Sequence, residues 1–292
     1  NWFSRLEEGI IEFAEETGAT TFLCGPSKGD PAAQIGILEE IIAQEVDGIG
    51  NVPFGVEEHE PVHKKALDAG IPVVLHEAPF AKNATYDVEA FDNCAYGEEM
   101  MDELAVRMGE EGVYVSFTGS LTNDTHMAWQ NCAHDRQLEA YPNMERLGLY
   151  ESKEDIEISY QIFKDLLKTN PEIKGMTGSS AGDVVAIGRA VQEAGLTDEI
   201  HVVGTTIASY AGDLIATGDI DLGMAWDPKL AGKAMCEVLL RVINGETIEE
   251  GDDLGISGYE AVTVAPNDNG VMIITGSAWI KMDAVTMADY PF

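Results

Sequence analysis

The 292-residue chain carries 52 acidic side chains against 17 basic ones, a formal charge of -35. A surface this negative repels nucleic acid phosphates and anionic lipid heads, which argues against both as partners. With 45% hydrophobic residues the chain can bury a sizeable α/β core, yet it has no run of 18 apolar residues to span a membrane.

Self-repulsion of this size opposes compactness at low ionic strength, so a salt-adapted, halophilic source is expected. No basic segment followed by an apolar stretch opens the chain, so any secretory signal is expected to have been removed.

The spacing predicts a helix over residues 4–16, with Ser4 as N-cap and Gly18 as its stop. A short strand follows at 20–24. Asp30 and Pro31 open a helix to residue 44, proline taking the first helical position. A strand is expected at 47–52, a helix at 61–69 ended by Gly70, and a buried strand at 72–76. Segment 77–93 breaks the rhythm with loop-like composition, and a first crossing between lobes is expected there.

Regular alternation then resumes. Helices are expected at 98–108, 125–140, 155–168, 183–194, 210–217 and 229–243. Strands fall between them at 113–118, 145–150, 175–178, 201–204 and 220–225. Two consecutive strands, 258–265 and 271–275, precede an irregular tail. Strands separated by helices imply right-handed crossovers and mostly parallel sheets, so the fold class is α/β. So many units exceed one open sheet, which leaves a closed barrel or two domains. Several crossings without a flexible linker favour two lobes on short hinge strands. A doubly wound lobe ordinarily opens on a strand and this chain opens on a helix, so a first strand is expected to be missing from the sequence.

Two motifs invite chemistry. His59-Glu60-Pro61-Val62-His63 matches H-E-x-x-H, in which two histidines on one helical face hold zinc beside a glutamate base. Proline belongs at a helix start, which would leave His59 at or before the N-terminus. Gly178-Ser179-Ser180-Ala181-Gly182 matches the G-x-S-x-G nucleophile turn, but the lone histidine after it, His201, opens a predicted strand instead of a late loop. Nothing reads G-x-G-x-x-G or as a P-loop, which removes the support for nicotinamide or nucleotide chemistry. No cofactor and no metal are expected, and the chain reads as no enzyme.

Asn83 and Asn123 begin glycosylation sequons, which arise often by chance. Cys24 and Cys236 sit among apolar residues and are expected to be buried. Cys94 and Cys132 could pair outside the cell, but their spacing leaves that open.

The order of several segments resembles the type I periplasmic sugar-binding proteins, the ribose-binding family, and within it the rhamnose- and autoinducer-2-binding branch. The resemblance spans nearly the whole chain. It rests on Asn1-Trp2-Phe3 before the first helix, Ala69-Gly70-Ile71-Pro72-Val73-Val74, Asp92-Asn93 and the stretch from Gly119 to Trp129. It continues through the stretch from Ser179 to Asp183, Val203-Gly204-Thr205, Ala225-Trp226-Asp227-Pro228, and the terminal Asp289-Tyr290-Pro291-Phe292. It departs in lacking an arginine between Gly119 and Trp129, and in reading Glu77-Ala78 where ribose binders have Asp-Arg.

The resemblance implies two doubly wound parallel-sheet lobes joined by a three-segment hinge near Asp92-Asn93, 226–228 and 262–265. The N-terminal lobe would comprise 1–91 plus 228–261, the C-terminal lobe 92–227 plus 262–292. It further implies an extracytoplasmic monomer, anchored by lipid or free, that closes around one small sugar-like ligand for an ABC permease. Rhamnose, a pentose, a polyol and autoinducer-2 all remain open as ligands. A LacI-type effector core shares the fold, but it needs a basic DNA-binding head that is absent here.

Chemistry picks out the same positions. In open α/β sheets ligands bind beyond the carboxyl ends of strands. A sugar offers flat C–H faces to Trp2, Phe3 and Trp226. Its hydroxyls suit Asn51, His76, Glu77, His126, Ser180, Thr206 and Asp227. The two small hydroxyl residues, Ser180 and Thr206, lie at strand ends, and Asp227 doubles as an N-cap before Pro228.

Overall fold

The computed structural model describes residues 2–27, 29–290 and 292. Asn1 and Pro291, which belong to the terminal motifs above, lie outside the described residues. The chain divides into two compact units, 1–92 with 226–278 and 93–225 with 279–292, and passes between them three times.

The first unit opens with α1 (Trp2–Thr17), which buries Leu6, Gly9 and Phe13. α2 (Pro31–Ile42) is capped by the Asp30 carboxylate, which accepts from the Ala33 N–H at 3.1 Å. β1 (Ile49–Asn51), α3 (Val56–Asp68), β2 (Val73–His76) and β3 (Tyr86–Glu89) follow. In the second unit the chain runs α4 (Asn93–Met108), β4 (Gly112–Thr118), α5 (Asp124–Ala140), β5 (Met144–Glu151) and α6 (Ile156–Thr169). It continues through β6 (Ile173–Gly178), α7 (Ala181–Ala194), β7 (His201–Thr205), α8 (Ala208–Thr217) and β8 (Leu222–Trp226). The first unit resumes with α9 (Pro228–Ile243), β9 (Thr263–Pro266) and β10 (Met272–Thr275). β11 (Trp279–Met282) returns to the second.

The first sheet has the order β1-β2-β3-β10-β9, parallel except for the antiparallel β9–β10 pair. It is covered on both faces. Val74 packs with Val238 and Ile274 in one cluster, whereas Val73 and Leu75 pack with Leu38, Ile42 and Val62 in another. The period-2 alternation of a strand sends neighbours to opposite faces, so β2 reads as a continuous apolar run. Each such fully buried side chain stabilises the fold by about 1.5–3 kcal/mol.

The second sheet has the order β11-β8-β7-β6-β4-β5 around a core of Phe117, Phe163, Met176, Ile187, Val202 and Ile215. Helices here end where the sequence signals it, with Gly195 and Gly218 in the left-handed conformation at φ 68° and 81°. Among the described residues no helix is long and apolar enough to cross a membrane.

Several expectations change. Residues 20–24 join no strand ladder among the described residues, and without a neighbour to satisfy its backbone that β-rich segment stays irregular. Cys24 is exposed in consequence, and Cys236 is partly so. Segment 77–93 contains β3, a central strand whose apolar run is broken by buried Asp87 and Glu89. The tail contains β11. Residues 262–278 belong to the first unit, where β10 lies parallel to β3, so the third passage falls after Ala278 and not at 262–265.

α3 begins five residues before Pro61, which lies inside it. So early in a helix, the missing proline N–H leaves only the Glu57 carbonyl without its partner. His59 and His63 therefore do stand one turn apart on a formed helix, with ring centroids 5.7 Å from each other.

Candidate functional site

Each unit presents a group of polar and aromatic side chains at the carboxyl ends of its strands. In the first unit Trp2 begins α1, His76 ends β2, and Trp226 ends β8 just before α9. Trp2 stacks on His76 with centroids 6.0 Å apart, and Trp226 meets both edge-on at 6.5 and 6.4 Å. Phe91 adds a ring 5.3 Å from Trp226, while Phe3 pairs with Trp2 at 5.0 Å and with Phe54 at 5.6 Å. Such edge-to-face contacts fix ring orientation as well as burying area.

The His76 ring is buried, its Nδ1 2.5 Å from the Val88 carbonyl. That oxygen can only accept, so Nδ1 carries the proton. Burial lowers the His76 pKa to about 4 and leaves the ring neutral near pH 7. Glu77 follows it in the left-handed region at φ 59°, a conformation non-glycine residues seldom adopt and one that clusters at functional sites. Burial, with the Asp87 carboxylate adding repulsion, pushes Glu77 up to about 7. Asp87 itself is raised to about 6 by burial, against the hydrogen bonds it makes with Glu89 and the Ala78 N–H.

Those shifts set a pH dependence. Between about pH 4.5 and 7 the folded chain retains a proton on Glu77 that the unfolded chain has shed, so this group's contribution to stability declines as pH rises. His76 acts oppositely, adding stability as pH rises from about 4 to 6.5. Glu77→Gln removes the first effect alone. Urea midpoints of that variant, taken relative to the parent, should therefore climb from pH 4.5 to 7. Parallel curves would show that Glu77 titrates normally.

Asp227 accepts from Arg5 through both oxygens, at 2.9 and 2.8 Å, and also caps α9 by accepting from the Lys229 N–H at 2.9 Å. Sequence reasoning missed Arg5, which on an amphipathic first helix looks like a solvated face. Asn51, expected to reach ligand, is spent internally. Its carbonyl accepts from Gln34 at 3.1 Å, and its amide donates to His63 Nε2 at 2.9 Å.

In the second unit the structure brings His126 and Ser180 together through Glu154, which sequence reasoning also missed. Ser180 Oγ donates to one Glu154 oxygen at 2.7 Å, and His126 Nδ1 lies 3.6 Å from the other. Lys153 and Glu154 are consecutive left-handed residues at φ 58° and 57°. The carboxylate occupies space that a Cβ at Gly119 would need, passing 1.7 Å from where that atom would sit.

His126 sits in the first turn of α5, its N–H accepted by the Asn123 cap at 2.9 Å, and its ring lies 5.4 Å from Trp129. Thr206, just past β7, is fully buried, and its hydroxyl has no hydrogen-bond partner among the described residues. Behind this face Gln130 bonds Ser179 and Thr177 at 3.0 and 2.8 Å.

The arrangement does not make a nucleophile. The acid, not a histidine, touches the Ser180 hydroxyl, and His201 is held at 2.8 Å by Asp221. Among the described residues no three His, Cys, Asp or Glu side chains are grouped to hold a metal. What the faces offer is ring surface and hydrogen-bonding acceptors, the needs of a polyhydroxylated ligand.

Known proteins are similar to this chain in sequence and in shape. A family model described as periplasmic binding protein domain matches residues 1–247. The D-apiose import binding protein of Actinobacillus succinogenes is 28% identical over 233 residues, covering 77% of this chain and 74% of that one. A solved ABC transporter solute binding protein of Clostridium phytofermentas with bound L-rhamnose superposes with a TM-score of 0.84 at 19% identity, covering 99% and 94% of the two chains. LsrB of Clostridium saccharobutylicum in complex with AI-2 does so at 0.84 and 17% identity, covering 100% and 96%.

Proposed function

Since this chain belongs to the periplasmic binding protein domain family, we propose that it is the extracytoplasmic sugar-binding component of an ABC importer. The observation that carries the reading is the ring cluster of Trp2, His76 and Trp226 standing beside Glu77 at the strand ends of the first unit. Aromatic rings receive the C–H face of a sugar, and an adjacent carboxylate accepts from its hydroxyls. The D-apiose-binding relative and the solved structures holding L-rhamnose and AI-2 support ligands of this size and polarity.

Transport of this kind needs no bond-making. A ligand favours whichever conformation binds it better, and its release at a permease reverses the shift. His126, Ser180 and Thr206 are the proposed contributions of the second unit.

A thermal scan against pentoses, hexoses, deoxyhexoses, polyols and autoinducer-2 tests the reading. A true ligand at about 100 times its Kd stabilises by roughly 2.7 kcal/mol, which reads as a clear rise in Tm. A panel with no shift for any compound would refute it. The charge of -35 fits a salt-adapted protein, and the same scan taken from low to molar salt should show the midpoint rising.

A further inference from the structure

We infer that Gln130 is a positioning residue for the second unit's share of the proposed ligand face. A one-way chain of buried hydrogen bonds through its amide ties the first turn of α5, which carries His126, to the strand end before Ser180. The inference rests on the sugar-binding reading above and adds to it a residue that acts through others.

Four polar side chains stand together inside the unit. Ser116 on β4 and Thr177 on β6 are register partners on neighbouring parallel strands. Ser179 follows two residues after Thr177, on the same side by the period of a strand. Gln130 reaches them from α5, four residues after His126 and so on the same face of that helix. All four are buried. Polar groups out of water are tolerated where each finds its partner, and here each does.

The direction of every proton follows. The His126 carbonyl can only accept, and Ser179 Oγ lies 3.1 Å from it, so the single Ser179 hydroxyl proton goes there. Ser179 then accepts from Gln130 at 3.0 Å, which turns Nε2 of the amide toward Ser179 and Oε1 toward Thr177. Oε1 accepts the Thr177 proton at 2.8 Å, and Thr177 in turn accepts from Ser116 at 2.9 Å. The other Gln130 amide proton faces Met100 Sδ at 3.8 Å. Protons thus point one way, from Ser116 through Thr177, Gln130 and Ser179 to the His126 carbonyl.

That carbonyl is also the one that the Gln130 N–H meets within the helix, so the Ser179 bond is an added tie from sheet to helix. Ser179 is itself anchored, its N–H donating to the Phe117 carbonyl of β4 at 3.1 Å. Both ends of the tie lie at residues that meet Glu154. The His126 ring stands 3.6 Å from one carboxylate oxygen, and Ser180, next after Ser179, donates to the other at 2.7 Å. Gln130 holds the spacing at which a helix and a strand end converge on one carboxylate. Buried networks with every member satisfied specify a single arrangement in this way.

The test compares the whole chain with Gln130→Met, which keeps the side-chain length and removes the amide, alone and combined with His126→Ala. Calorimetric titration uses D-apiose, D-allose, D-ribose and L-rhamnose as probes. For a probe that binds, Gln130→Met should weaken affinity about tenfold, but less than about twofold once His126 is alanine, because members of one network are not additive. Equal losses in both backgrounds would make Gln130 a packing residue and overturn the inference. A second readout needs no ligand. Burial, the larger influence, lowers the His126 pKa, and the Glu154 carboxylate opposes it. Releasing the first turn relieves that burial, so the His126 ring should titrate about half a pH unit higher by NMR in Gln130→Met, with His134 unmoved. An unmoved His126 would overturn the inference. Ser179→Ala cuts the same tie and should reproduce the shift, and it decides if Gln130→Met does not fold. Failure of all four sugars to bind would count against the sugar reading and leave the histidine titration to decide the positioning.

Discussion

Replacing Glu77 by alanine should weaken ligand binding roughly 10- to 150-fold, the equivalent of about 1.5–3 kcal/mol for a hydrogen bond to a charged group. The size of the effect follows from position. Glu77 is the first residue beyond β2, and its carboxyl stands 3.8 Å from the His76 ring that stacks on Trp2. Its left-handed backbone aims it there at a cost of order 1–3 kcal/mol, which the rest of the unit must offset. Alanine keeps that backbone cost and loses the acceptor. Glycine relieves the cost and also loses the acceptor, so Glu77→Gly should melt at least as high as Glu77→Ala while binding equally poorly. Calorimetry with a ligand drawn from the panel reads the first effect and thermal unfolding the second. Unchanged affinity in Glu77→Ala would remove this carboxylate from the site.

The second large effect lies in the other unit. Cys94 and Cys132 form a disulfide between α4 and α5, closing a separation of 38 residues. Those helices approach so closely that a Cβ on Gly97 would stand 2.3 Å from the Trp129 carbonyl oxygen. The Trp129 indole also donates to Asn93 at 2.6 Å. A loop of this length constrains the unfolded chain by about 4 kcal/mol in the entropic account, and measured losses run about 2–5 kcal/mol. Cys94→Ser with Cys132→Ser, or reductant, should therefore lower stability by about 2–4 kcal/mol in a denaturant titration. Because α5 carries His126, ligand affinity should fall as well. Identical unfolding curves with and without reductant would show that the bond contributes nothing.

The alternation of helices and strands was readable because it depends on local periodicity and on helix-opening residues such as Asp30, whose carboxylate meets the Ala33 N–H. The position of Glu77, just beyond an apolar strand, was readable for the same reason. β3 was not, since two of its four residues are acids whose burial is tolerated only through hydrogen bonds made elsewhere. β11 hid behind Lys281, which pairs with Glu99 and Glu103 from α4. Arg5 and Glu154 escaped because their partners, Asp227 and Ser180, are 222 and 26 residues away, and no spacing rule encodes such pairs. Asn51 shows the opposite limit. Its chemistry suited a sugar, but Gln34 and His63 take up its amide. Pro61 misled because the rule against helical proline is strict in mid-helix and weaker near the first turn.

The position of β10 between β3 and β9 has a consequence for how the chain is made. β3 leaves the ribosome early, yet its second neighbour is encoded about 180 residues later, at Met272–Thr275. Throughout that interval Tyr86–Glu89 is an outer strand with an open row of amides and carbonyls, the geometry that recruits stray strands. Five of the six strands of the other sheet are complete by Trp226. Buried acids at Asp87 and Glu89 give the waiting edge an inward negative charge, a feature known to discourage intermolecular pairing. The same carboxylates that lie buried in the finished molecule thus guard the unfinished one.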